Sequence, residues 1–373
     1  MKEILSFKRL NLKAEQVVKA VSYQLHLKNG QILNDTMSGL WCVPLGYSDE
    51  DIKAEMIKQL NTLTYGTNFL GRQNQITETY AEKICKVTNM DRVYFTNSGS
   101  TAVETAIKIT KRKKAIVSKR SYHGSTILSA CASDQKINES WNLNNPIDVL
   151  KFNDAQDLED ILKKNNDAFV LLEPVIAAGG VYEQPKEVFE VCKKHQQKNV
   201  PLLLDETVTG FGKLGTLFAF EKYNLKPDVL ILGKSITNGY FPMGACLTKN
   251  HMLNDIKFFN HGFTYSGHPI GCAVALKVLQ ILDNNKSLIN HNKFFKSENI
   301  TRQIGCMGAI DFDSSKRSLK FLKDMLDDGY ILEYGSENIN TIVYCLPYIM
   351  KEEDYNKFLK ILNKNINDRR KTQ

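Results

Sequence analysis

Five short apolar runs, each closed by polar residues, constrain the fold of this chain most strongly. They are Arg92-Val93-Tyr94-Phe95-Thr96, Ala115-Ile116-Val117-Ser118, Ala168-Phe169-Val170-Leu171-Leu172, Pro201-Leu202-Leu203-Leu204 and Asp228-Val229-Leu230-Ile231-Leu232. Nearly unbroken hydrophobicity suits strands covered on both faces, and the intervals between runs leave room for crossover helices. The pattern predicts an α/β fold with a mostly parallel sheet. Beyond residue 265 the pattern changes to a long helix over 269–284, a strand near 306–310, a helix near 317–328, a strand at 341–345 and a closing helix over 351–367. This predicts a second, smaller α+β domain. The expected organisation is an arm over 1–55 that contributes to the small domain, a large domain over 56–265 and a C-terminal small domain over 266–373. The short apolar piece Ser38-Gly39-Leu40-Trp41-Cys42-Val43 is too brief for a core helix.

Charge and cysteine usage exclude several classes. The 49 Lys+Arg against 41 Asp+Glu give +8, but the basic residues are interleaved with acids, which argues against a nucleic-acid footprint. The dense run Lys111-Arg112-Lys113-Lys114 is expected to close a helix, where cations meet the negative dipole end. No stretch of eighteen apolar residues occurs, so no membrane span is expected. Eight cysteines without a CxxC pair read as small buried hydrophobes rather than metal ligands, and a reducing cytoplasm is the expected location.

The polar groups at the ends of these runs carry the chemistry, since ligands of open α/β sheets bind beyond the carboxyl ends of strands. Asn97-Ser98-Gly99-Ser100-Thr101 opens a helix, with Thr101 and Glu104 at capping-box spacing, so backbone N–H groups there can approach a phosphate; an ordinary capped turn would look the same. Lys234 closes a strand of buried residues, and desolvation makes such an amine a usable nucleophile toward an aldehyde; a snorkelling surface lysine is the plain alternative. Asp205 closes another strand and needs a cationic or hydrogen-bonding partner, for which a protonated ring nitrogen would serve; a helix cap or an ion pair would also satisfy it.

In their order and spacing, Asn97-Ser98-Gly99-Ser100, Tyr122-His123-Gly124, Glu173-Pro174-Val175, Asp205-Glu206-Thr207-Val208-Thr209-Gly210-Phe211-Gly212, Gly233-Lys234 and the segment His261 to Pro269 resemble the class III aminotransferases of the fold-type-I pyridoxal-phosphate superfamily. The resemblance runs from about residue 35 to 310. It implies pyridoxal 5'-phosphate carried by Lys234 as a Schiff base, with Asp205 on its ring nitrogen. It also implies that Ser98, Gly99 and Ser100 hold the phosphate, that Tyr122 stacks on the ring, and that His123 and Thr207 line the cofactor. Thr264 would reach the other subunit's phosphate, making the enzyme a homodimer with shared sites. Glu206 would support the site from behind, and Trp41 with Tyr122 would line the substrate pocket. The activity implied is transamination between an amine or ω-amino acid and an oxo acid or ketone. A biotin-pathway aminotransferase, a racemase or decarboxylase, and a non-catalytic scaffold are the alternatives.

Three departures matter. Thr207 stands where the family usually has Val, so its hydroxyl needs a partner. The small domain is shortened between about 285 and 300 and again after 312. No arginine occurs between Arg317 and Arg369, the region where relatives place the clamp for a substrate carboxylate; Arg72 or Arg302 is left as a substitute.

Overall fold

A computed structural model describes residues 15–68, 71–134, 145–254, 261–294, 297–336 and 338–367; residues 1–14 of the expected arm lie outside them. The apolar runs supply five strands of a seven-stranded sheet in the order Arg92–Thr96, Gly244–Thr248, Val229–Leu232, Leu202–Asp205, Phe169–Leu172, Lys114–Ser118, Asp148–Phe152, with the first run at one edge. All neighbours run parallel except Gly244–Thr248, which is antiparallel to both of its own. That strand and Asp148–Phe152 were not among the five runs: the first is Gly244-Ala245-Cys246-Leu247-Thr248, and the second, an edge strand, is partly exposed.

Alternation along the strands explains why both faces are dry. Val229 and Ile231 pack with Val103, Ala106 and Ile107 of the Gly99–Thr110 helix, whereas Leu230 and Leu232 join the larger core on the opposite face. Side chains that point alternately up and down a strand require exactly this division when both faces are covered.

The helix after the first strand starts earlier than the sequence suggests. Its N-cap is Ser98, whose hydroxyl accepts from Thr101 N at 3.2 Å while Thr101 Oγ1 accepts from Ser98 N at 3.0 Å. Glu104 is not part of the box and accepts from Leu128 N instead. The helix ends at Thr110, so the basic run only begins there: Lys111 is a left-handed C-cap, Arg112 donates to the carbonyls of Asn166, Ala168 and Asn199, and Lys114 opens the next strand.

Besides the two-stranded pairing of Val175–Ile176 with Tyr182–Glu183, two smaller sheets accompany the large one among the described residues. Arg302–Ile304, Met307–Asp311, Thr341–Cys345 and Glu333–Tyr334 form one. Val17–Val21, Gln24–Leu27 and Ile32–Asp35 form the other, joined in parallel by Tyr330–Ile331 from far along the chain. The N-terminal strands are therefore stitched to C-terminal ones. Cys345 N donates to Thr36 O at 2.7 Å, and Ser38 Oγ to Cys345 O at 2.8 Å. Among the described residues no helix is long and apolar enough to cross a membrane.

Candidate active site

The register Leu204↔Leu172 and Asp205↔Ile231 brings the ends of three neighbouring parallel strands level. Glu173, Asp205 and Lys234 thus leave the same edge of the sheet, and the loops after Arg92–Thr96 and Lys114–Ser118 supply Ser98 to Ser100 and Tyr122 to His123. Strand-end chemistry on one edge follows from the parallel arrangement itself.

Asp205 is 4% exposed and holds His123 Nδ1 on Oδ2 at 2.8 Å, while Oδ1 accepts from Thr207 N at 3.0 Å. Two lone-pair positions of the carboxylate remain. His123 Nε2 is buried without a partner among the described residues. Glu173, next to Asp205 across the strand pair, accepts from Tyr122 N at 2.9 Å and so fixes the loop that carries Tyr122 and His123. Burial pushes the Glu173 carboxyl up to about 7, against the pull of His123, while Asp205 raises it further. Burial is also the largest influence on Lys234 and moves its amine downward, opposed by Glu173 and Asp205. Lys234 has φ 46°, a left-handed backbone that a non-glycine residue adopts only when its surroundings impose it.

The space around these groups is set by glycines. A Cβ on Gly99 would lie 2.7 Å from Thr207 Cγ2, and one on Gly233 would lie 3.0 Å from the same atom and 3.2 Å from Gly99 Cα. Thr207 therefore sits between the turn that opens the Gly99–Thr110 helix and the residue before Lys234. Its Oγ1 is buried and has no partner among the described residues, so the hydroxyl that the sequence said would need a partner finds none in the chain itself. Gly124 is held at φ 129°, where a Cβ would collide with Ser100 Oγ. Ser100 Oγ accepts from Ser125 N at 3.2 Å. Among the described residues the N–H groups of Gly99 and Ser100, the first of the helix, meet no backbone acceptor and suit an anion.

The remaining sequence candidates fall nearby or at the surface. Trp41 is buried at 4% exposure, and its carbonyl accepts from Ser235 Oγ at 3.2 Å. It ends the single turn Ser38–Trp41, in which Ser38, Leu40 and Trp41 all have positive φ. Thr264 is exposed, and its carbonyl accepts from Tyr65 OH at 2.9 Å. The buried Glu206 carboxyl accepts from Ala219 N and Phe220 N at 2.6 and 2.8 Å, and burial pushes it up to about 8. Arg302 is not a free clamp. Its guanidinium grips Asp311 at 2.5 and 2.7 Å and lies 4.0 Å from the Tyr182 ring centroid, so that substitute for the missing arginine is withdrawn. Sequence reasoning did not find the His123–Asp205 pair, because no sequence spacing encodes a contact between separate strand ends. It also did not single out Lys213, which is fully buried; a charged residue between Gly212 and an apolar stretch was the available signal.

Comparison with known proteins follows this geometry. The model of the family "Aminotransferase class-III" matches residues 10–366. "Gamma aminobutyrate transaminase 3, chloroplastic" of Solanum lycopersicum is 34% identical over 68% of this chain and 57% of its own length. "Vanillin aminotransferase" of Capsicum chinense is 34% identical over 68% of this chain and 65% of its own. Against such curated relatives the chain thus spans somewhat under two thirds of their length. Among solved structures, the PMP-bound aminotransferase of Vibrio fluvialis superposes with a TM-score of 0.87 at 26% identity, covering 95% of this chain and 92% of that one.

Proposed function

Since the chain belongs to the class-III aminotransferase family, we propose that it transfers an amino group from an amine or ω-amino acid to an oxo acid or ketone, using pyridoxal 5'-phosphate. The observation that carries this reading is Lys234, half-buried at the end of a strand, on the same sheet edge as the buried Asp205–His123 pair. The residues fit the cofactor. The N–H groups of Gly99 and Ser100 suit a phosphate, a buried carboxylate with open lone pairs suits a protonated ring nitrogen, and the glycine-lined cradle has room that a Cβ would fill.

When bound, the cofactor supplies an aldehyde that takes up amines and a ring that accepts electrons from the substrate carbon. The chain supplies binding, orientation and proton movement. Ser98 caps the helix whose Gly99 and Ser100 N–H groups and dipole hold the phosphate. Asp205 would keep the ring nitrogen protonated, with His123 and Thr207 N–H fixing that carboxylate and Thr207 lining the cradle. Tyr122 would line the cofactor site from a loop tied down by Glu173. Lys234 Nζ would hold the cofactor and would move the proton at the substrate's amine-bearing carbon. Trp41 and Tyr122 wall the donor's chain.

The same reading makes the protein a homodimer with shared sites. Ile57, Leu60, Leu63, Tyr65 and Tyr265 are exposed at 38% to 59%, and Tyr65 meets Tyr265 and the Thr264 carbonyl; exposed apolar patches mark interfaces. Eight free cysteines suit a reducing cytoplasm. Two relatives are named for γ-aminobutyrate and vanillin, which supports donors whose reacting amine is remote from a carboxylate. The test is purified protein with and without Lys234→Ala: the wild type shows a visible absorption band that shifts on adding an amine, and the folded variant shows neither band nor turnover. Turnover at the wild-type rate in Lys234→Ala sinks the reading.

A further inference from the structure

Lys213 has no part in the site as described, yet it is fully buried. A buried ammonium is costly unless it is paired. Among the described residues no carboxylate ion pair holds it. Its Nζ donates to Ser235 Oγ at 2.5 Å and lies 6.0 Å from the centroid of the Tyr348 ring, a cation–π contact. Ser235 donates in turn to Trp41 O at 3.2 Å. One ammonium therefore braces two strained turns: the left-handed Ser38–Trp41 turn and the turn of Lys234 itself, with φ 70° at Trp41 and 46° at Lys234. On its other side, Lys213 O accepts from Cys306 N at 3.1 Å, which ties it to the small C-terminal sheet.

We propose that Lys213 is a positioning residue for Lys234, pinning the Lys234 turn through Ser235 and the Trp41 carbonyl and setting a second basic side chain against that turn. The inference rests on the transaminase reading, because it needs Lys234 to act as a nucleophile. Only the neutral amine has the lone pair that bonds to the aldehyde carbon, and water then leaves with the aldehyde oxygen and the two amine hydrogens. The charged and titratable groups facing Lys234 are Glu173 and Asp205, which favour its proton, and Lys213, which opposes it; the Cys42 thiol favours it weakly. Facing Lys213 are the thiols of Cys42, Cys306 and Cys345 and the ring of His291.

The full-length protein, freed of cofactor, is mixed with pyridoxal 5'-phosphate over a pH series. Cofactor captured on Lys234 is trapped by cyanoborohydride reduction and counted by peptide mass spectrometry. Lys213→Met, of similar volume but uncharged, is expected to move the midpoint of the trapping profile up by at least about half a pH unit, roughly threefold slower trapping at pH 7. Lys213→Arg, which keeps the charge, is expected to restore the wild-type midpoint. Lys213→Gln serves as a second uncharged variant should Met not fold. A midpoint unchanged in folded uncharged variants overturns the inference while leaving the transaminase reading in place. Absence of trapping on Lys234 in the wild type overturns both.

Discussion

Replacing Asp205 by Asn tests the site most directly, and the structure gives the size of the effect. The asparagine carbonyl can keep the 3.0 Å bond from Thr207 N, but the NH2 group then faces His123 Nδ1, which the carboxylate holds at 2.8 Å. Two donors cannot share that contact, so the imidazole must carry its proton on Nε2. That atom is buried without a partner, and an unsatisfied buried donor costs about 1–3 kcal/mol. The amide also cannot accept from a protonated ring nitrogen as a charge, which removes a bond to a charged group worth about 1.5–3 kcal/mol. Taken alone the second loss is about ten-fold to 150-fold in cofactor affinity, and turnover should fall at least about a hundredfold because the ring loses its positive charge as well. The assay is kcat at saturating cofactor beside a titration of cofactor binding, with circular dichroism as the check on folding. Wild-type kcat in folded Asp205→Asn protein would remove Asp205 from the mechanism.

With no arginine between Arg317 and Arg369 and Arg302 engaged by Asp311, neither source supplies a bidentate carboxylate clamp, worth on the order of thirty-fold in affinity; glutamate should be a poor donor beside a primary amine or an ω-amino acid, and strong saturable kinetics with glutamate, for which Arg72 would then have to provide the clamp, would contradict this. Gly99→Ala places a Cβ 2.7 Å from Thr207 Cγ2, an overpacking that should cost about 1–3 kcal/mol of stability and lower cofactor affinity at least about tenfold in the still-folded variant; unchanged affinity by dialysis argues against the proposed cradle. Mixing inactive Lys234→Ala and inactive Thr264 variants should restore activity if sites are shared, whereas a fully active monomer at low concentration counts against the dimer. Burial raises the Glu173 and Glu206 carboxyls from 4.5 to about 7 and about 8; a raised carboxyl binds its proton more tightly when folded, so the cofactor-free chain should lose stability as pH rises through these values, having its full contribution below about 4.5. Thermal melts over that range check it, with Glu206→Gln flattening the slope; a flat wild-type profile is the contrary result.

Periodicity determined five strands of the sheet and the residues at their ends. Val229-Leu230-Ile231-Leu232 reads as a strand buried on both faces because its two alternating sets are both apolar, and the core takes up both sets. Lys234, Asp205 and Ser98-Gly99-Ser100 were legible as the polar ends of such runs, but each also had a plain structural explanation, and their roles came from the resemblance of the whole set of motifs to the family. The antiparallel Gly244–Thr248 strand was not legible, since pairing direction follows from how neighbouring strands accept its edges. The capping box was shifted by three residues, because Ser98 outcompeted Thr101 for the cap while Leu128 N drew Glu104 away.

What only the tertiary structure decided are contacts between residues far apart in sequence. His123 meets Asp205, Glu173 holds the Tyr122 loop, Arg302 is claimed by Asp311, and Lys213 lies buried behind Ser235. Sequence carries the local balance of burial, propensity and capping, which fixes elements and the residues at their ends. Which of those ends touch depends on strand order and register, and these are settled by the packing of the whole chain.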